Sequence, residues 1–160
     1  MKRGLPCLIL IILSLIILPL SAAPDDELPS RKEKCPVCGM FVDMFADWNA
    51  RIEFSDSTYA TFDGAKCMFK YYLEMKKYSP LKRKNDVTAI SVKDYDSKEP
   101  IAARQAFYVI WSDIYGPMGH EPIPFALEKD AKKFLKDEKG KKIMGLKDIT
   151  MRVIRALDNP

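Results

Sequence analysis

The chain has 160 residues, 48% of them apolar and 30% charged, with 7 glycines and 11 prolines. That composition belongs to one globular domain after any targeting segment, and it excludes a multidomain machine or a largely disordered chain. The formal net charge of +4 falls to +2 once Lys2 and Arg3 are removed with the first 23 residues, too little to favour nucleic acid as a partner.

The opening reads as a secretory signal: a cationic start, an apolar stretch from Leu8 to Leu20, then Ser21-Ala22-Ala23 as a small-residue cleavage site. Pro24 is a poor residue to follow cleavage, so residues 1–23 are read as a signal peptide or an uncleaved anchor. Either way the remainder is exported. Residues 24–34, charged and flanked by proline, form a tether, and the folded domain is expected over 35–157.

Gly39-Met40-Phe41-Val42 is read as a strand, and alternating apolar residues in Trp48 to Phe54 and Thr58 to Phe62, around Ser55-Asp56-Ser57, predict a hairpin. A helix follows, capped by Asp63 and ending near Tyr78-Ser79-Pro80, with Ala65, Met68, Phe69, Tyr72 and Leu73 at helical spacing. Strands are expected at Val87–Val92 and Ala106–Trp111, an irregular loop at Asp113–Pro124, and a helix at Phe125–Glu138 stopped by Gly140. The fold class is therefore α+β, with two small related sheet-and-helix units sharing one compact domain. The halves run about 35–95 and 100–157, Phe62 corresponding to Phe125. The lysine-rich stretches Lys76–Lys84 and Lys129–Lys142 read as solvated helix faces.

Four cysteines, one histidine and eight methionines make up the soft-ligand inventory. Cys7 lies in the signal, leaving an odd set of three in the exported part: the pair Cys35 and Cys38, and Cys67. Two cysteines separated by two residues, followed by Gly39, can turn both sulfurs onto one ion. A disulfide or a redox dithiol is the lesser reading of the pair, since a thioredoxin-like motif would open a helix where Gly39-Met40-Phe41-Val42 reads as a strand. Cys67 on its helix reads first as a small buried core residue and second as a ligand. Met118 and His120 share a loop dense in glycine and proline, and a thioether beside an imidazole suits Cu(I) better than a hard ion. Met40 is either packing or a further thioether; Met44, Met68, Met75, Met144 and Met151 are read as packing. There is no nucleophile elbow, paired-histidine motif, phosphate-binding glycine loop or haem-attachment motif, so an enzyme is not expected.

Three segments, Cys35-Pro36-Val37-Cys38-Gly39-Met40-Phe41-Val42, Phe62-Asp63-Gly64-Ala65-Lys66-Cys67-Met68-Phe69 and Gly116 to Phe125, stand in an order that resembles the NosL family, accessory proteins of nitrous oxide reductase. The resemblance spans roughly Cys35 to Ile149. It implies a Cu(I) chaperone on the periplasmic side of the inner membrane, anchored or soluble, that helps assemble the copper centres of nitrous oxide reductase beside an ABC-type transporter complex. It maps the family's methionine and histidine ligands onto Met118 and His120, with a thiolate from the Cys35/Cys38 pair. Many family members are lipoproteins, whereas here no cysteine follows the apolar run. Two other functions compete: a periplasmic dithiol redox protein, which needs neither Met118 nor His120, and a zinc-stabilised interaction module closed by Cys67 and His120.

Overall fold

The computed structural model describes residues 33–158. The signal or anchor and most of the tether lie outside these residues. Antiparallel strands β1 (Ala50–Phe54) and β2 (Tyr59–Phe62) form the expected hairpin, with Ile52 opposite Ala60. Asp56 shapes its turn by accepting hydrogen bonds from the Thr58 amide and hydroxyl, and Ser57 takes a left-handed φ of 64°. Along β1 the side chains of Ala50, Ile52 and Phe54 point inward, the period of two that a half-buried strand requires.

Two expectations fail before this hairpin. Gly39–Val42 is not a strand: it contributes one isolated bridge, Lys34 to Phe41, and Val42–Trp48 winds as a 3-10 segment that also takes Trp48 out of β1. Gly39 has φ 80°, a left-handed turn that ends extended backbone on the spot. Met44, read as packing, is 69% exposed on that segment.

Helix α1 (Ala65–Leu73) follows, but Asp63 does not cap it. Gly64 occupies the N-cap without a side-chain bond, and the Lys66 amide is satisfied by the Glu121 carboxylate, 55 residues away. The capping acceptor comes from tertiary structure, which frees Asp63 to point elsewhere. The helix breaks at Glu74 and resumes as the short α2 (Met75–Tyr78). Within the basic stretch beyond, Lys77 pairs with Glu74, Lys82 with Asp56 and Arg83 with Asp86.

Strand β3 (Val87–Lys93) lies on the other side of β1, and β4 (Pro100–Ala102) pairs with β3, giving the order β2-β1-β3-β4. The second unit centres on β5 (Phe107–Ile110). The segment read as an irregular loop contains a small hairpin of β6 (Tyr115–Gly116) and β7 (Gly119–His120), then β8 (Ile123–Phe125). Gly119, at φ 78°, makes the tight reversal possible, so here glycine enables pairing rather than preventing it. Helix α3 (Glu128–Asp137) and β9 (Lys142–Met144) complete a sheet ordered β8-β5-β9.

Phe62 closes β2 and Phe125 closes β8, each fully buried ahead of a helix. Between the units, Tyr95 lies edge-on to Trp48 and Phe134. Asp94 accepts bonds from the Ala126 amide at 2.7 Å and from Ser97, pinning the turn between the units to the start of the second helix. A terminal helix, α4 (Met151–Asp158), packs on α1 and buries Ile154 and Leu157. The main core thus runs from Cys35 to Leu157 and makes the two units one body, while a smaller core of Val109, Ile123, Phe125, Ala131 and Phe134 sits under α3.

Candidate metal centre

The segment after Lys34 closes on itself as a knuckle. The Cys35 amide donates to the Met40 carbonyl at 2.8 Å and the Gly39 amide to the Cys35 carbonyl at 2.9 Å. This turn brings Cys35 and Cys38 to one side, with Met40 half-buried on its rim. Asn49, buried, donates its amide group to the carbonyls of Val42 and Phe62, tying the stretch after the knuckle to the strand that leads into Asp63. Cys67 reaches the same point from the first turn of α1.

Donor atoms of Cys35, Cys38, Asp63 and Cys67 all lie within 4.8 Å of one another, the one such group of three or more His, Cys, Asp or Glu donors among the described residues. Cys67 and Asp63 are fully buried, Cys35 is 2% exposed, and Cys38 is half-buried. The three sulfurs are free thiols. Neither Asp63 carboxylate oxygen has a hydrogen-bond partner. Buried carboxylates without partners are costly, several kcal/mol at least on an order-of-magnitude scale, and a fold retains one where a cation completes the set.

The thiols differ in acidity. A hydrogen bond from the Cys67 thiol draws Cys35 down to about 7, against its burial and the nearby Asp63 carboxyl. Burial pushes Cys38 up to about 12, although the Met40 amide directed at its sulfur works the other way. Cys67, which donates to Cys35 and is itself buried, is raised well above the ordinary thiol range. One thiolate is therefore ready near neutral pH, and an incoming cation must displace the other two protons.

Met118 and His120 lie on the β6-β7 hairpin. Met118 is half-buried against the main core, as Cys38 is. His120 does not belong to the four-residue group. Its Nδ1 is 3.1 Å from the Ser112 carbonyl, which can only accept, so Nδ1 is the donor there and Nε2 is the ring nitrogen left to face a ligand. The Tyr115 ring lies 4.5 Å from the imidazole. Such second-sphere anchoring through one ring nitrogen is the usual setting of a histidine that ligates through the other.

The NosL family profile matches residues 28–154, most of the chain. The chain belongs to the NosL family. Its fold is that of the copper chaperone NosL from Shewanella denitrificans, whose crystal structure superposes with a TM-score of 0.64 over 78% of this chain and 94% of that one, at 21% identity. The solution structure of the apo-NosL protein from Achromobacter cycloclastes is 26% identical over 66% of this chain and 87% of that one, with a TM-score of 0.47. Comparison with curated proteins returns no match.

In this NosL-family chain the sequence-predicted donors fall into two sets. All three cysteines among the described residues come together, including Cys67, which sequence alone reads first as packing. Met118 and His120 share the hairpin. Asp63 is the residue that sequence reasoning missed as a donor, because an Asp ahead of a helix reads as a cap; its place four residues before Cys67, one helical turn away, was the available signal.

Proposed function

We propose that this NosL-family chain is a metallochaperone that carries Cu(I) on the periplasmic side of the inner membrane, anchored or soluble, and delivers it for assembly of the copper centres of nitrous oxide reductase, beside an ABC-type transporter complex. Copper is the cargo. The observation that carries the reading is the set of three thiols, two of them buried, beside a buried unpartnered carboxylate. Three sulfurs select a polarisable, low-valent ion, and the chaperone description of the Shewanella protein of the same fold agrees with it. Met118 and the free Nε2 of His120 supply weaker donors on a more open hairpin, suited to passing the ion on by ligand exchange.

Anaerobic titration of the full chain with Cu(I) against a chromophoric chelator tests this. Cys35→Ser and Cys67→Ser should each weaken binding by on the order of a hundredfold, Met118→Ala and His120→Ala by about tenfold. Wild-type affinity in both cysteine variants would end the proposal.

Asp63 favours one other reading. A carboxylate beside three thiolates is also a donor set for tetrahedral Zn(II), and a zinc-stabilised module would use it. Such a module would purify with Zn(II) in stoichiometric amount, unfold on chelation, and resist displacement of Zn(II) by Cu(I).

A further inference from the structure

A buried polar network lies beside the two donor sets, and neither set uses it. Glu121 is 1% exposed, and each of its carboxylate oxygens is engaged: one accepts the Lys66 amide at 2.7 Å, the other the Met118 amide at 3.2 Å. Lys66 is 1% exposed as well. Its ammonium donates to the Met118 carbonyl at 2.9 Å and pairs with Asp158 of α4 at 2.6 Å. Both backbone polar groups of Met118 are therefore held, its N–H by Glu121 and its C=O by Lys66. The thioether takes no part in these bonds. Lys66 immediately precedes Cys67, so the clamp joins the methionine of the hairpin to the first turn of the helix that carries a thiol.

The surroundings are shaped for this carboxylate. A Cβ on Gly116 would lie 2.5 Å from the Glu121 Cγ and 2.9 Å from the Trp48 ring, and one on Gly64 would lie 3.2 Å from a Glu121 oxygen. Glycine on both sides leaves the space that Glu121 fills. Burying a lysine and a glutamate is a poor route to stability, since apolar residues of similar volume serve at least as well, so the network is better explained by what it orients.

We infer that Glu121 and Lys66 are positioning residues that clamp the Met118 backbone against the Cys67 helix and so fix the thioether relative to the cysteine cluster. The inference rests on the reading of Met118 as a copper donor. Loss of the clamp leaves the thiols in place and lets the hairpin drift, so the contribution of Met118 disappears while thiolate ligation persists.

A double-mutant cycle on the full chain tests it. Cu(I) affinity is measured by anaerobic chelator competition for wild type, Glu121→Gln, Met118→Ala and the double variant. Thiolate-to-metal charge-transfer bands of the Co(II)-loaded proteins report the cysteine cluster separately. Glu121→Gln should weaken Cu(I) binding by about tenfold in the wild-type background and not at all beside Met118→Ala, with the Co(II) bands unchanged. An equal loss in both backgrounds, or loss of the bands, would show that Glu121 merely holds the fold and overturn the inference. So would an unaffected Glu121→Gln in a protein that Met118→Ala does weaken. A silent Met118→Ala would instead remove Met118 as a donor, and the clamp with it. Lys66→Met, which keeps the stem and removes the bond to the Met118 carbonyl, must give the same pattern and decides the matter if Glu121→Gln does not fold.

Discussion

Substituting Asp63 separates a metal donor from a structural residue, because the two roles predict opposite signs. Both carboxylate oxygens are buried without hydrogen-bond partners, and the neighbouring donors are three sulfurs. An unsatisfied buried polar group costs about 1–3 kcal/mol, and more when charged. Asp63→Asn keeps the shape and gives the side chain an amide that can donate to the neighbouring sulfurs, so the metal-free protein should gain about 2 kcal/mol. For a domain of this size, at roughly 4 °C per kcal/mol, Tm should rise by about 8 °C. Loading should shrink the gain: Cu(I) at a thousandfold above its Kd stabilises wild type by about 4 kcal/mol, and a tenfold weaker site gives up about 1.4 kcal/mol of that, leaving the loaded variant a net rise of only about 0.6 kcal/mol. Anaerobic thermal melts of wild type and Asp63→Asn, each with and without Cu(I), measure both shifts. A metal-free Tm that falls on substitution would refute the reasoning, since a residue whose loss destabilises the empty protein is there for the fold.

The thiol acidities predict the pH dependence of binding. With Cys35 at about 7, Cys38 at about 12 and Cys67 higher still, ligation by three thiolates releases about two protons at pH 8 and about three at pH 6. Apparent affinity therefore falls as pH falls, more steeply below pH 7. Calorimetry in buffers of different ionisation enthalpy counts the protons, and release of fewer than one at both pH values would exclude a multi-thiolate site. Gly116→Ala places a methyl group 2.5 Å from the Glu121 Cγ, an overpacking that should cost about 1–3 kcal/mol in a urea melt. Gly39→Ala meets nothing within 4 Å but must hold φ 80°, so it should destabilise by about 1 kcal/mol and weaken Cu(I) binding by loosening the knuckle.

The fold was largely legible where one periodicity ran long enough. β1, β2, α1, β3, β5 and α3 follow from alternation or helical spacing, and Phe62 and Phe125 do occupy matching places ahead of the two helices. The failures share a cause: the partner that decides them is distant in sequence. Asp63 reads as a cap because nothing near it shows that Glu121 satisfies the Lys66 amide. The β6-β7 hairpin is two residues per strand, too short for any alternation to register. α4 was missed although Met151, Ile154 and Leu157 recur every third residue, because an amphipathic stretch of eight residues carries little weight without the α1 face it covers. Cys67 had the same ambiguity as a core residue and as a donor. Burial could not resolve it, since Cys67 is fully buried and also lies in the cluster.

Those distant partners also explain how one small domain holds a cluster that disfavours its own empty state. Two buried thiols and an unpaired carboxylate oppose collapse around an empty site, so the surrounding bonds must fix the geometry in advance. Asn49 does this for the knuckle, bridging Val42 and Phe62, and the Lys66–Glu121 network does it for the hairpin. Cys67 and Asp63 are sealed from solvent whereas Cys38 and Met118 are only half-buried, so an acceptor approaching the site meets the less buried donors first. In the proposed transfer the ion then leaves through these less buried donors by ligand exchange. The protons lost on binding return to Cys38 and Cys67, whose raised pKa values favour recapture and help drive release.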